Sequence, residues 1–226
     1  MSIRDIGYWG PSGQLSNYAY AVEVANCVYL IDSLPEMSNY VQDMLQQGKQ
    51  LYLLNTHNHS DHIGANEILK ELGVTRLDHQ QFADGECLLH VGDLSLEVIQ
   101  APGHTLDHVI YVLKKKNVVK YAFVGDTLFA YGVGNCHSGN VENLFQTVEK
   151  IKLHFTDDTK VYFAHDYANT NIQFCKSLGK AECLTEQPLQ EYPHAIWKEQ
   201  LLNNPFLQCR EVEEFIKLRQ MRDRWN

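Results

Sequence analysis

With 226 residues, 44% of them hydrophobic, the chain can bury a full core as one large domain or as one domain with a small appendage. Its net charge of -9 at pH 7 repels phosphate backbones and argues against a nucleic-acid enzyme. No run approaches the roughly 18 apolar residues that a membrane helix needs, so no membrane partner is expected.

Alternating apolar positions in Tyr18 to Val24 and Cys27 to Ile31, parted by Ala25-Asn26, predict an opening hairpin. Pro35 then leads a helical pattern in which Met37, Tyr40, Val41, Met44 and Leu45 recur on one face, with Gly48 suited to its C-terminal cap. The run Leu51 to Leu54 reads as a strand, and Glu67 to Leu72 as a short helix. Further strands are expected at Leu94 to Ile99, His108 to Leu113, Val118 to Val124 and Lys160 to Phe163, and Lys114 to Lys116 beside Asn117 reads as a solvated hairpin turn. Asn140 caps a helix from Val141 to about Phe155. After Tyr167 the strand patterns stop, and helices are expected near Thr170 to Leu178, Ala195 to Leu202 and Glu211 to Met221. This order predicts an α/β layered core with a helical appendage. The six cysteines form no C-x-x-C pair, and the first residues show neither a basic stretch followed by an apolar run nor a small-residue cleavage site. Both features point to free thiols in a reducing cytoplasm.

The densest chemistry lies in N-T-H-N-H-S-D-H-I-G-A-N, Asn55 to Asn66. Imidazole is the commonest metal-binding side chain and carboxylate the matching hard donor, so His57, His59, Asp61 and His62 read as ligands. The remaining candidates repeat one positional role. L-E-V-I-Q leads into A-P-G-H-T with His104, K-Y-A-F-V into G-D-T with Asp126, and K-V-Y-F into A-H-D-Y with His165, each directly after an apolar strand. Strand ends are where a rigid scaffold presents functional loops. His108 lies in the same strip and reads as structural.

Together T-H-N-H-S-D-H-I-G-A-N, A-P-G-H-T, G-D-T-L-F and A-H-D-Y resemble the ordered motifs of the metallo-β-lactamase superfamily, closest to its glyoxalase II branch, over residues 18 to 225. The resemblance implies an αββα sandwich of two mixed sheets flanked by helices, a catalytic domain over 1–168 and a small helical substrate-binding domain over 169–226. It also implies two divalent metal ions, with zinc expected and iron or manganese also suited to the donors. His57, His59 and His104 would hold one ion, and Asp61, His62 and His165 the other. Asp126 would bridge them, Asp61 and Asp126 being the catalytic carboxylates. N-N-P-F-L and L-R-Q-M-R-D-R-W are similar to the glyoxalase II C-terminal segment, where two basic residues three apart bind the glycine carboxylate of glutathione; here these are Arg219 and Arg222. Tyr167 matches the family's substrate-binding tyrosine.

Departures from the family pattern bear on the thiol half of the substrate. In G-V-G-N-C-H-S-G, Asn135 stands where the family has Lys or Arg, and His137 where it has an aromatic residue. Asp166 replaces the usual Glu, giving A-H-D-Y, a form also found in persulfide dioxygenases, and Ala65 and Asp107 replace frequent glycines. The activity implied is hydrolysis of a small-molecule thioester, S-D-lactoylglutathione to D-lactate and glutathione, a step of methylglyoxal detoxification, by a cytoplasmic monomer or weak oligomer. A water held by two divalent ions would lose its proton near neutral pH and attack the thioester carbonyl. The thiolate, with a pKa near about 8.5 to 9, would leave without a general acid. The alternatives are a mononuclear iron persulfide dioxygenase on His57, His104 and Asp126, and a hydrolase of a different thioester or ester.

Overall fold

The structure, a computed structural model, describes residues 17–179 and 194–225, and falls into two compact units, 1–82 and 83–226. Cys183, Pro188 and Pro193 lie outside the described residues.

The first unit is a four-stranded mixed sheet. Strands β1 (Tyr20–Val24) and β2 (Cys27–Ile31) form the expected hairpin, with Ala25 in the left-handed region at φ 54°. A single 3-10 turn at Pro35–Met37 opens into helix α1 (Ser38–Gln46), and β3 (Gln50–Leu54) returns parallel to β2. Two short helices follow, α2 (Ser60–Ile63) and α3 (Asn66–Glu71), and β4 (Thr75–Leu77) completes the order β1-β2-β3-β4. Met37, Val41 and Met44 bury the apolar face of α1 with Leu30, Leu51, Leu53 and Leu69.

The second unit has a six-stranded sheet in the order β12-β11-β8-β7-β6-β5. Strands β5 (Cys87–Val91), β6 (Leu94–Gln100), β7 (Val109–Lys115) and β8 (Val118–Phe123) form an antiparallel run, each paired with the next. The β7–β8 turn places Lys116 and Asn117 at φ 52° and 61°, the twist a two-residue hairpin needs. A miniature hairpin, β9 (Leu128–Phe129) with β10 (Gly132–Val133), leads to helix α4 (Val141–His154), whose N-cap Asn140 accepts from the Asn143 amide at 2.8 Å. Strand β11 (Lys160–Tyr162) joins β8 in parallel, and then come α5 (Ala168–Ser177), β12 (His194–Ile196), α6 (Trp197–Asn203) and α7 (Val212–Arg224).

One sequence expectation needs correction. Strands do not stop at Tyr167, because His194–Ile196 adds to the sheet antiparallel to β11. The described helices beyond Tyr167 share the core of the second unit. Phe174, Trp197, Phe206, Phe215 and Leu218 share one apolar cluster with Val112, Ala122, Leu144, Val148 and Val161. Phe215 of α7 meets Phe145 of α4 at 5.5 Å and Phe206 at 5.4 Å between ring centroids. The C-terminal helices therefore cover the sheet, and they fold as part of the second unit. Phe215→Ala should destabilise by about 3–5 kcal/mol through the cavity it leaves. Denaturant unfolding should show the loss in the transition of the whole unit, and a separate low-stability transition of the C-terminal helices would contradict this account.

Candidate metal centre and substrate cavity

Leaving β3, the chain keeps Asn55, Thr56 and His57 buried, and each polar group there is bonded. Asp32, which follows β2 at φ 59°, accepts from the Thr56 amide at 2.7 Å and from its hydroxyl at 2.9 Å. Asn55 Nδ2 donates to the His62 carbonyl at 2.9 Å, and Asn66 Nδ2 donates back to Asn55 Oδ1 at 2.9 Å. The Ser33 hydroxyl reaches Asn66 Oδ1 at 2.7 Å. This network holds the H-x-H-x-D-H segment from beneath. His62 Nδ1 lies 2.8 Å from Asp32 Oδ2, so its Nε2 turns away from that carboxylate and lies 3.8 Å from Asp61 Oδ2. His57 Nδ1 contacts the Thr56 hydroxyl at 3.0 Å, and its Nε2 stands 3.1 Å from His59 Nδ1.

In the second unit, Asp126 is placed between two imidazoles. Its Oδ2 lies 3.4 Å from His104 Nε2 and its Oδ1 3.3 Å from His165 Nε2. The Asn135 carbonyl at 2.7 Å orients His104 through Nδ1. His108 is structural: its Nε2 accepts the Asp126 amide at 3.1 Å and its Nδ1 faces the Thr127 hydroxyl at 3.2 Å, which makes it a neutral ring with the proton on Nδ1. Two donors each about 2.1 Å from a four- to six-coordinate ion stand about 3.0 to 3.4 Å apart. The His57–His59, His104–Asp126 and His165–Asp126 separations match that spacing, and imidazole with carboxylate is the chemistry of a zinc, iron or manganese site. The residues present fit a divalent ion.

Beyond Asp126 a cavity of about 220 Å³ is lined by Phe129, Val133, Asn135, His137, Tyr167, Asn171, Arg219, Arg222 and Asp223. All five residues expected to bind substrate are in this wall. The two arginines differ, however, from the expected convergence on one carboxylate. Arg219 is buried and turned inward: Nη1 donates to the Val133 carbonyl at 2.7 Å, Nε and Nη2 reach Asp223 at 3.1 and 2.9 Å, and the guanidinium lies over Phe206. Among the described residues Arg222 makes one hydrogen bond, from Nε to Asn171 Oδ1 at 3.2 Å, and its guanidinium rests on the neighbouring Phe174 and Trp225 rings. Burial, and next the nearby Arg219, hold its pKa below the usual guanidinium value, so an anion in the cavity would be welcome. Cys136 packs beside this wall, but burial pushes its thiol up to about 11, too high for a thiolate nucleophile near neutral pH.

A model of the metallo-beta-lactamase superfamily matches residues 12–86. A hydroxyacylglutathione hydrolase of Haemophilus ducreyi is 30% identical over 92% of this chain and 95% of its own, and one of Pelagibacter ubique is 31% identical over the same shares. The chain belongs to the metallo-β-lactamase superfamily, in its hydroxyacylglutathione hydrolase branch. Solved structures agree on the fold. ETHE1 from Myxococcus xanthus, 24% identical, superposes with a TM-score of 0.71 over 96% of this chain and 90% of that one. A metallo-beta-lactamase from Staphylococcus aureus, 17% identical, gives 0.67 over 92% and 68%.

Sequence reasoning missed the residues that support the family's motifs. Asp32 had a readable signal, since it follows an apolar strand as the candidate ligand segments do. The C-terminal brace on the β9–β10 hairpin had none. Asn171 Nδ2 donates to the Ala130 carbonyl at 2.9 Å, Gln200 Oε1 accepts the Tyr131 amide at 2.9 Å and Asn204 Nδ2 donates to the Gly132 carbonyl at 3.0 Å. The hairpin lies close against its surroundings, since a Cβ at Gly134 would stand 1.9 Å from the Asp126 carbonyl oxygen. Asp166 Oδ1 accepts from the amide of Ala168, the first residue of α5, at 3.2 Å. Partners that orient ligand imidazoles are worth about 10- to 100-fold in metal affinity. Asp32→Ala should therefore raise the metal dissociation constant by that factor in competition with a chromophoric chelator, and unchanged retention would show that Thr56 and His62 are held without it.

Proposed function

We propose that the chain hydrolyses acyl thioesters of glutathione, S-D-lactoylglutathione to D-lactate and glutathione. Asp126 carries the reading: a carboxylate whose two oxygens face two different imidazoles suits a bridge between two ions. The relatives named hydroxyacylglutathione hydrolase support it along nearly the whole chain. His57, His59 and His104 would hold one ion, Asp61, His62 and His165 the other, and Asp126 both; zinc is the ion we assign and the cytoplasm the compartment. Bound there, divalent ions acidify water and polarise a carbonyl.

The chain's own groups do the remaining work. Asp61 is exposed, so its carboxylate stands where solvent water enters. Tyr167 packs edge-on against Phe129 at 4.9 Å and lies 5.4 Å from His165, which puts the cavity wall beside a ligand. Arg222 offers a cation to a carboxylate at the far end of the thiol. A thiolate leaves without a protonated partner, consistent with a cavity wall in which, among the described residues, Asp223 is the one carboxylic acid and is paired to Arg219. The A-H-D-Y string keeps a second reading in view, persulfide oxidation at a single iron, and oxygen uptake with glutathione persulfide separates the two.

The test is steady-state release of thiol from S-D-lactoylglutathione by metal-loaded protein. Because the carboxylate contact is remote from the reacting carbonyl, it acts as uniform binding. Arg222→Ala should raise KM about tenfold or more with kcat within a few-fold, and leave a small thioester without the carboxylate unaffected. Equal effects on both thioesters would keep a thioesterase and remove glutathione from the function.

A further inference from the structure

Arg222 is a long side chain that loses substantial rotamer entropy when fixed, so something has to orient it. Asn171, buried on α5, touches it at Oδ1, and the other end of the same amide is committed to the Ala130 carbonyl. A carbonyl only accepts, so it must face the NH2 group, and that leaves the amide oxygen pointing at Arg222. The amide cannot swing away. Ala130 and Tyr131 form the turn of the β9–β10 hairpin with Tyr131 at φ 61°, and Gly132 stands so close that a Cβ there would meet Asn171 Nδ2 at 2.5 Å. With Nε bonded and the guanidinium resting on the Phe174 and Trp225 rings at 5.8 and 5.7 Å, neither Nη group has a hydrogen bond among the described residues, and the two form a fork on a side chain that lines the cavity.

We infer that Asn171 is the positioning residue for thiol recognition: it aims the Arg222 fork into the cavity, and Arg219 braces the Val133 carbonyl without binding substrate. This rests on the glutathione thioester reading above. Asn171 also ties that fork to the hairpin running from Asp126 to Asn135, whose carbonyl orients His104, so one amide sets the carboxylate end against the ligand end of the second unit.

The test is calorimetric binding of S-methylglutathione, a thioether that is not hydrolysed, to metal-loaded wild type, Asn171→Ala, Arg222→Ala and the double variant. Asn171→Ala should weaken binding about tenfold, the double variant should bind within about twofold of Arg222→Ala, and the thermal midpoint should confirm folding in each. If Asn171→Ala does not fold, Asn171→Ser carries the same prediction. Wild-type affinity in the Asn171 variant, or a double variant that loses the product of both single effects, overturns the inference and leaves the glutathione reading standing. A wild type that does not bind S-methylglutathione removes that reading, and the inference with it.

Discussion

The second unit is organised around the placement of one carboxylate. Asp126 presents one oxygen to His104 and the other to His165, and a tilt of the group would lose one of them. Its amide is held by His108, a neutral imidazole serving as acceptor. The hairpin that follows passes so near that residue 134 can only be glycine, and the return segment brings the Asn135 carbonyl to His104. Asn171, Gln200, Asn204 and Arg219 then bond the hairpin's backbone from the C-terminal helices. Buried polar groups tolerate little slack, since an unmatched donor or acceptor in a low-dielectric interior is costly, and a fully matched network rigidifies its members.

The first unit meets the same demand with different parts. Asp32, Ser33, Asn55, Thr56 and Asn66 interlock under the H-x-H-x-D-H segment, and each is buried. Asp32 supports the chain at Thr56 and the ring at His62, so one carboxylate fixes both the path of the loop and the direction of a ligand nitrogen. In both units the candidate ligands stand just beyond strand ends, on short loops or, for Asp61 and His62, in the one-turn helix α2, and the rigidity comes from side chains that bond backbone behind them.

The His/Asp cluster stood out in the sequence because the residue types of metal chemistry are few and its segments each follow an apolar strand. Helix α4 was legible because its cap and its apolar face agree. The brace was not legible: Asn171 reaches Ala130 across 41 residues and Arg219 reaches Val133 across 86, and a bond to a backbone carbonyl leaves no mark on the residue that accepts it. That the C-terminal helices pack on the sheet was not legible, because an amphipathic pattern says that a face is buried and not what buries it. Strand β12 is three half-buried residues, too short for any alternation to show. The pair Arg219 and Arg222, one helical turn apart, carried equal weight in the sequence, and what distinguishes them in the structure is that Arg219 is bonded to Asp223 and the Val133 carbonyl.

The central claim is that seven histidine and aspartate donors serve two ions in one thioester hydrolase. It is tested most directly by stripping the protein of metal, adding zinc stepwise and following thiol release from S-D-lactoylglutathione. The account predicts that the rate climbs from near zero and levels off at two equivalents per chain. Full activity in the stripped protein, or a plateau at one equivalent, would contradict it.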